Sequence, residues 1–163
     1  MPENYTEEGA AAYFALMEAG ELLKHHVEQQ LRRDGTLSYV QFRILAQLME
    51  HGGSLRMTDL ADGVVYSRAG LTYQASILEK EGLVARHPSP EDERSTMVQL
   101  TIRGRERLET VVPGHVALVA HEMFGQLSEA DIAAMADVLT RLRDHLRAVP
   151  PRSVASRRKA RPS

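Results

Sequence analysis

The sequence contains no cysteine, which removes disulfides, thiolate metal sites, iron–sulfur clusters and cysteine redox sensing together. Nothing ties the chain to an oxidising compartment. There is no tryptophan and aromatic residues make up only 5%, too few for an aromatic-lined ligand box. No apolar run approaches the roughly 18 residues needed to span a bilayer. The acidic start MPENYTEEGAAAYF lacks the apolar core of a signal peptide, so a cytoplasmic location with no membrane partner is expected. Nor is there a surplus of positive charge to advertise nucleic acid, since the formal net charge is −2. That total hides an asymmetry. The tail PPRSVASRRKARPS holds Arg152, Arg157, Arg158, Lys159 and Arg161 with no acid, so residues 150–163 read as a basic, disordered end. The remainder is acidic and could meet DNA only through a local basic surface.

Catalytic motifs are also missing. HEMFG, from His121, begins like a zinc-protease motif but has Gly125 where the second ligand belongs. HGGS lacks the lysine of a phosphate loop, and no nucleophile elbow is present. His115 and His121 are six apart, so one helix face cannot present both to a metal; they read as solvated or singly hydrogen-bonded. No enzyme and no cofactor is expected.

What is present is a hydrophobic share of 43% in 163 residues, which suits one ordinary core and one domain with an extension. Helical periodicity runs from about Tyr5 to Arg33, with Leu16 on its apolar side, and Asp34–Thr36 should break it. Ser38 with Gln41 three residues on forms a capping box for a second helix, whose buried stripe is Phe42, Leu45, Leu48 and Met49; HGG ends it. LRMTDLADGV reads as an extended entry and a short helix, and Ser67 caps another helix that stops at Gly82. LVARHPSPEDERSTMVQLT then reads as a two-stranded ribbon with a charged tip. Thr101 caps a long helix, which Pro113 should kink, and Ser128 with Asp131 opens the last one. In that last helix Ile132, Met135, Leu139, Leu142, Leu146 and Val149 alternate spacings of three and four, as in a heptad seam. The order gives a mainly α (α+β) chain. A winged helix-turn-helix at about 37–103 is flanked by helices at 5–33 and 104–149, and residues 1–149 form a single domain.

The helix from Arg68 divides into two faces. Leu71, Ala75 and Leu78 form a buried stripe; Arg68, Ala69, Thr72, Tyr73 and Ser76 lie opposite, with no acid among them. Such a face can approach phosphates and place side chains on base edges in a major groove, and a helix N-terminus favours an anion. A plain surface helix remains the alternative. At the ribbon tip, Arg94 stands beyond Glu91, Asp92 and Glu93. Asp92 is placed to bond the guanidinium or nearby backbone N–H groups and so aim Arg94 into a narrow minor groove. A surface salt bridge worth ~0–1 kcal/mol is the competing reading.

These residues carry a resemblance. Asp92, Arg94, Leu100, Thr101 and Gly104 match the wing motif of the MarR family of bacterial transcription regulators: Asp, any residue, Arg, about five residues, Leu-Thr, and Gly three after the Thr. The two-helix segment before the ribbon and the two helices after it also resemble that family, over roughly Tyr5 to Arg147. The resemblance implies a homodimer of winged helix-turn-helix units that regulates transcription, as a repressor or an activator, from a pseudo-palindromic operator on double-stranded DNA. Half-sites would lie roughly 10 base pairs apart.

It implies DNA contacts from Arg56, Thr58, Ser67, Arg68, Thr72, Tyr73, Ser76, Arg86, Arg94 and Ser95, with Asp92 orienting Arg94. It implies dimerisation through the terminal helices, including Leu16, Ile132, Met135, Leu139, Leu142 and Leu146. It also implies a small-molecule effector, for which Arg43, His26, Tyr39 and Phe42 are candidates by helix position; the lack of cysteine excludes the family's cysteine-oxidation branch. The sequence departs from the family where Tyr73 replaces a common Arg, Ile77 a common Arg or Lys, and Arg56 a common capping Thr or Ser. The alternative is a helical dimeric interaction protein with only non-specific DNA binding.

Overall fold

A computed structural model describes residues 6–64, 67–92 and 94–148. Val149, the tail and the side chain of Arg68 lie outside the described residues. The first helix, α1 (Glu7–Gly35), starts where Thr6 Oγ1 accepts the Gly9 N–H at 3.0 Å, with Glu7 and Glu8 in the first turn. Acids there complement the positive end of the helix. The helix ends within the Asp34–Thr36 segment expected to break it, at the far end of that segment. The helix runs through Gly35 and ends on Thr36, which adopts the left-handed region at φ 55°. Local backbone bonds close this end, the Thr36 N–H to the Arg32 carbonyl at 3.1 Å and the Leu37 N–H to the Leu31 carbonyl at 3.3 Å, and a distant residue adds to them: Arg107 Nη1 donates to the Gly35 carbonyl at 2.7 Å and to Thr36 Oγ1 at 2.9 Å.

The second helix, α2 (Tyr39–Glu50), has the expected capping box, with Ser38 N–H donating to Gln41 Oε1 at 2.9 Å and Gln41 N–H to Ser38 Oγ at 3.3 Å. Gly52 and Gly53 follow it at φ 75° and 92°. Its stripe is broader than the spacing indicates, because Ile44 is buried along with Phe42, Leu45 and Leu48. This helix is central: it packs against α1, against the two helices before the ribbon, which form the reading unit, and against the helix that follows the wing.

The extended entry becomes strand β1 (Ser54–Arg56), followed by α3 (Met57–Val64) and α4 (Arg68–Lys80). Strands β2 (Val84–Pro88) and β3 (Thr96–Leu100) form the ribbon, and β1 adds to it. The result is a three-stranded antiparallel sheet in the order β1-β3-β2, where a two-stranded ribbon was expected. Leu55 pairs with Val98 and Arg56 with Met97 on one side of β3; Arg86 pairs with Val98 and Pro88 with Thr96 on the other. An isolated hairpin is marginal in water, and the third strand sets the ribbon on the core.

Beyond the sheet, α5 (Ile102–Glu122) continues without interruption through Pro113. The chain divides into two compact units, Met1–Glu122 and Met123–Ser163. The second holds a short 3-10 turn (Phe124–Gln126) and α6 (Glu129–Ala148). Ser128 and Asp131 cap α6 reciprocally, Ser128 N–H donating to Asp131 Oδ2 at 3.1 Å and Asp131 N–H to Ser128 Oγ at 3.2 Å. No described residue of α6 is buried.

The core of the first unit joins Val27 and Leu31 of α1, Ile44, Leu45 and Leu48 of α2, Leu60, Leu71 and Leu78 of the reading unit, Val98 of the sheet, and Leu108 and Val111 of α5. Each fully buried Leu or Ile contributes about 1.5–3 kcal/mol of hydrophobic stabilisation. Gly104 is the tightest point: a Cβ there would run into the carbonyl oxygen of Leu83 and lie 2.8 Å from Leu100 Cδ1. We therefore expect Gly104→Ala to cost about 1–3 kcal/mol or more by overpacking against backbone, seen as a lower denaturation midpoint. A midpoint equal to wild type would contradict this packing.

Candidate nucleic-acid interface

The described α4 side chains sort as the periodicity predicts. Leu71, Ala75 and Leu78 are fully buried. Thr72 and Tyr73 are exposed and Ser76 is half-buried. Ser67 Oγ accepts the Gly70 N–H at 3.1 Å, so it caps the helix while its first turn stays free of acid. Ser76 Oγ donates to the Thr72 carbonyl at 2.9 Å, which holds its hydroxyl along the helix. Tyr73 projects furthest, at 65% exposure. Thr58, in the first turn of α3, is exposed and donates to Asp59 Oδ1 at 3.3 Å.

At the wing tip Asp92 builds a turn around Arg94. Its Oδ1 accepts the Arg94 N–H at 3.0 Å and its carbonyl accepts the Ser95 N–H at 2.8 Å. Ser89, buried among exposed neighbours, donates its N–H to the Ser95 carbonyl at 2.8 Å and closes the loop. Of the two uses weighed for the Asp92 carboxylate, it takes the backbone one. The Arg94 guanidinium is exposed and has no hydrogen-bond or ion-pair partner among the described residues.

Two of the other arginines named for DNA, Arg86 and Arg56, are engaged; the side chain of Arg68 lies outside the described residues. Arg86 grips Glu79 of α4: Nη2 and Nε reach Oε2 at 2.6 and 2.9 Å, and the Arg86 N–H reaches Oε1 at 3.1 Å. The guanidinium holds the Glu79 carboxyl below the usual carboxylate range. In this arrangement Arg86 is a strut between β2 and α4; a DNA contact was expected of it. Arg56, at the end of β1, is ion-paired with Glu91 of the wing tip. Neither acid was singled out as a partner in the sequence, because both pairings arise only when the sheet brings distant segments together.

An open cleft of about 570 Å³ lies between α2 and α5, lined by Phe42, Arg43, Gln47, Met49, Val112 and His115 among others. Of the four residues named for an effector, it brings Phe42 and Arg43 together. Tyr39 does not line it, and His26 pairs instead with Glu122 at 3.2 Å. Arg43 Nη2 donates to the Gly63 carbonyl of α3 at 3.2 Å, and a Cβ at Gly63 would collide with the Gln47 side chain. Two residues lining the cleft therefore touch the reading unit at one point.

His115 departs from expectation. It is half-buried, its ring centroid 4.7 Å from that of Phe42, and its Nδ1 is buried without a partner. The helix turns it inward onto α2, so it is neither solvated nor hydrogen-bonded at that nitrogen. Burial pushes its pKa below the ordinary 6.5. The folded state then binds this proton less readily than the unfolded state. Stability is complete above the unfolded value, is lost as pH falls through it, and levels off below the depressed folded value. His115→Phe should remove that loss. Thermal unfolding compared at about pH 7.5 and about pH 5.5, which bracket the unfolded value, should show a smaller fall for the variant. Equal falls would assign the acid sensitivity to other groups.

A helix pair on a three-stranded sheet, with a cation at the tip of the β2–β3 ribbon, is a winged helix-turn-helix. The MarR family model matches residues 37–96. A DNA-bound MarR family regulator from Streptomyces coelicolor has a solved structure that superposes with a TM-score of 0.84 at 31% identity, covering 90% of this chain and 92% of that one. AbsC, another MarR family regulator from Streptomyces coelicolor, gives 0.82 at 31% identity, covering 88% and 97%. MhqR, an HTH-type transcriptional regulator of Bacillus subtilis (strain 168), is 28% identical over 137 residues, or 84% of this chain and 92% of the relative. The chain belongs to the MarR family. No described helix is long and apolar enough to cross a membrane.

Proposed function

We propose that this DNA-binding transcriptional regulator acts as a homodimer on a pseudo-palindromic operator, and that it represses. In this reading α4 lies in the major groove, presenting Arg68, Thr72, Tyr73 and Ser76 to base edges, with Ser67 and the helix N-terminus at a phosphate. Thr58 and Ser95 flank it. Arg94 enters the adjacent minor groove. The observation that carries this reading is the Arg94 guanidinium, exposed and unpaired among the described residues on a turn that Asp92 holds from the backbone.

Exposed apolar side chains support the dimer. Tyr13, Phe14, Leu16 and Met17 of α1 and Leu142 and Leu146 of α6 are all at least 40% exposed, and apolar surface of that extent marks an interaction face more often than a free surface. A second copy is the occupant we assign, through Leu16, Ile132, Met135, Leu139, Leu142 and Leu146. The α2–α5 cleft supports an effector that sets its apolar body against Phe42 and Val112 and an acidic group on Arg43. Its hold on α3 is the Arg43–Gly63 bond.

Two measurements test this. Selection of bound fragments from random double-stranded DNA should enrich a palindrome with half-sites roughly 10 base pairs apart. The absence of any enriched sequence would leave non-specific binding only. On the selected site, Arg94→Ala should weaken binding at least tenfold, about 1.4 kcal/mol, with unchanged far-UV circular dichroism and unchanged mass by sedimentation equilibrium. A variant that binds as wild type would remove the wing from the interface. Wild-type sedimentation should return the mass of two chains, and a monomer at micromolar concentration would refute the dimer.

A further inference from the structure

We propose that Glu91 is an internal competitor for DNA phosphate: in the free protein it occupies the guanidinium of Arg56, and binding transfers that guanidinium from the carboxylate to the DNA backbone. The proposal rests on the DNA-binding reading above. It starts from the sheet register, in which β1 lies beside β3 and Arg56 pairs with Met97, close to where β3 leaves the wing tip. This brings Arg56 to Glu91 across 35 residues of sequence. Arg56 also immediately precedes the first residue of α3, at the positive end of a helix. A cation at that place is suited to a phosphate, yet its partner here is a carboxylate of the chain itself.

Both groups are accessible. The Glu91 side chain is 77% exposed and that of Arg56 41%. Exchange of one oxyanion for another at the guanidinium therefore requires no opening of the core. A carboxylate and a phosphate offer the same paired oxygens to an arginine fork. The wing does not depend on the Glu91 carboxylate for its shape. Its tip is closed by the Ser89–Ser95 and Ser95–Asp92 backbone bonds and by Asp92 on the Arg94 N–H; Glu91 adds only its own N–H to Ser89 Oγ at 3.4 Å. The two tip acids whose contacts are described therefore divide the work. Asp92 builds the turn, and Glu91 sets how much of the positive surface is free for DNA. An acid beside the phosphate-facing cations costs every DNA sequence alike, so it lowers non-specific binding most visibly, where phosphate contacts supply nearly all of the affinity.

The test is a salt titration of the full-length chain on a mixed-sequence duplex and on the selected operator, with wild type, Glu91→Gln, Arg56→Gln and the double variant. Glu91→Gln should bind both duplexes about two- to fivefold more tightly. Its log–log salt slope should gain up to about 0.9 if wild type leaves the transfer incomplete. In the Arg56→Gln background the Glu91 substitution should lose most of this gain. Binding by Glu91→Gln equal to or weaker than wild type would overturn the proposal and make the pair a wing buttress. A gain undiminished without Arg56 would also overturn it, as general charge removal. If wild type itself shows no salt-dependent binding to either duplex, the DNA-binding reading has failed and the proposal with it; the wild-type curve alone separates that case.

Discussion

The geometry of the reading unit depends on one residue, Thr101. Its hydroxyl donates toward the carbonyls of Gly82 and Leu83, at 2.7 and 3.0 Å, and accepts the Gly104 N–H at 3.0 Å. Its own N–H reaches the Leu83 carbonyl at 3.2 Å. Four elements end or begin there: α4 stops at Lys80, β2 starts at Val84, β3 ends at Leu100 and α5 starts at Ile102. Gly104 lets α5 approach so closely that no Cβ fits against Leu83. The family wing motif therefore contains two physically different parts. Leu100, Thr101 and Gly104 lock the base of the wing onto the end of the reading helix. Asp92 and Arg94 furnish its tip. A displacement at the base would swing the tip relative to α4, and the Arg86–Glu79 link between β2 and α4 opposes the same movement.

An acidic chain that meets DNA must arrange its few local cations with care, and the three arginines around the wing do so differently. Arg86 is used internally, Arg94 is left open, and Arg56 is held by an exposed acid. Exposed ion pairs are worth about 0–1 kcal/mol, so the transfer proposed for Arg56 would face only a small cost. Arg86 makes three bonds to a single carboxylate from a partly buried position and is much harder to recruit. The number of arginines near a candidate interface therefore says less than the strength with which each is already held.

Local signals in the sequence were sufficient for most of the framework. Ser38 with Gln41, Ser67, Thr101 and Ser128 with Asp131 mark helix starts because capping is a three-residue affair, and Leu71, Ala75 and Leu78 mark a buried face by period alone. What could not be read depends on pairs far apart in sequence. Arg107 bonds the last carbonyl of α1 across 72 residues. The strand β1 is three residues long and has no pattern of its own until β3 lies beside it. His115 looked like a surface histidine because no local rule says which way α5 faces α2. Arg56 and Arg86 looked like free cations because their partners, Glu91 and Glu79, are fixed by strand register and by the packing of β2 on α4.

Helix α2 connects the two sides of the first unit, and its faces explain how a ligand on one side could be felt on the other. Ile44, Leu45 and Leu48 are fully buried in the core that supports α4. Arg43 and Gln47, on the same helix, line the cleft and meet α3 at Gly63. A charge-assisted bond such as Arg43 to the Gly63 carbonyl is worth about 1.5 kcal/mol or more, which is about tenfold in an equilibrium constant. Typical allosteric couplings are 1–3 kcal/mol. One bond at this position is therefore of sufficient size, and no longer chain of displacements is required. The core behind it is tightly packed, so the response available to α3 is a small rigid shift rather than unfolding. In the proposed reading, a shift of that kind at α3 would pass to α4 through the core to which Leu60 and Leu71 both belong.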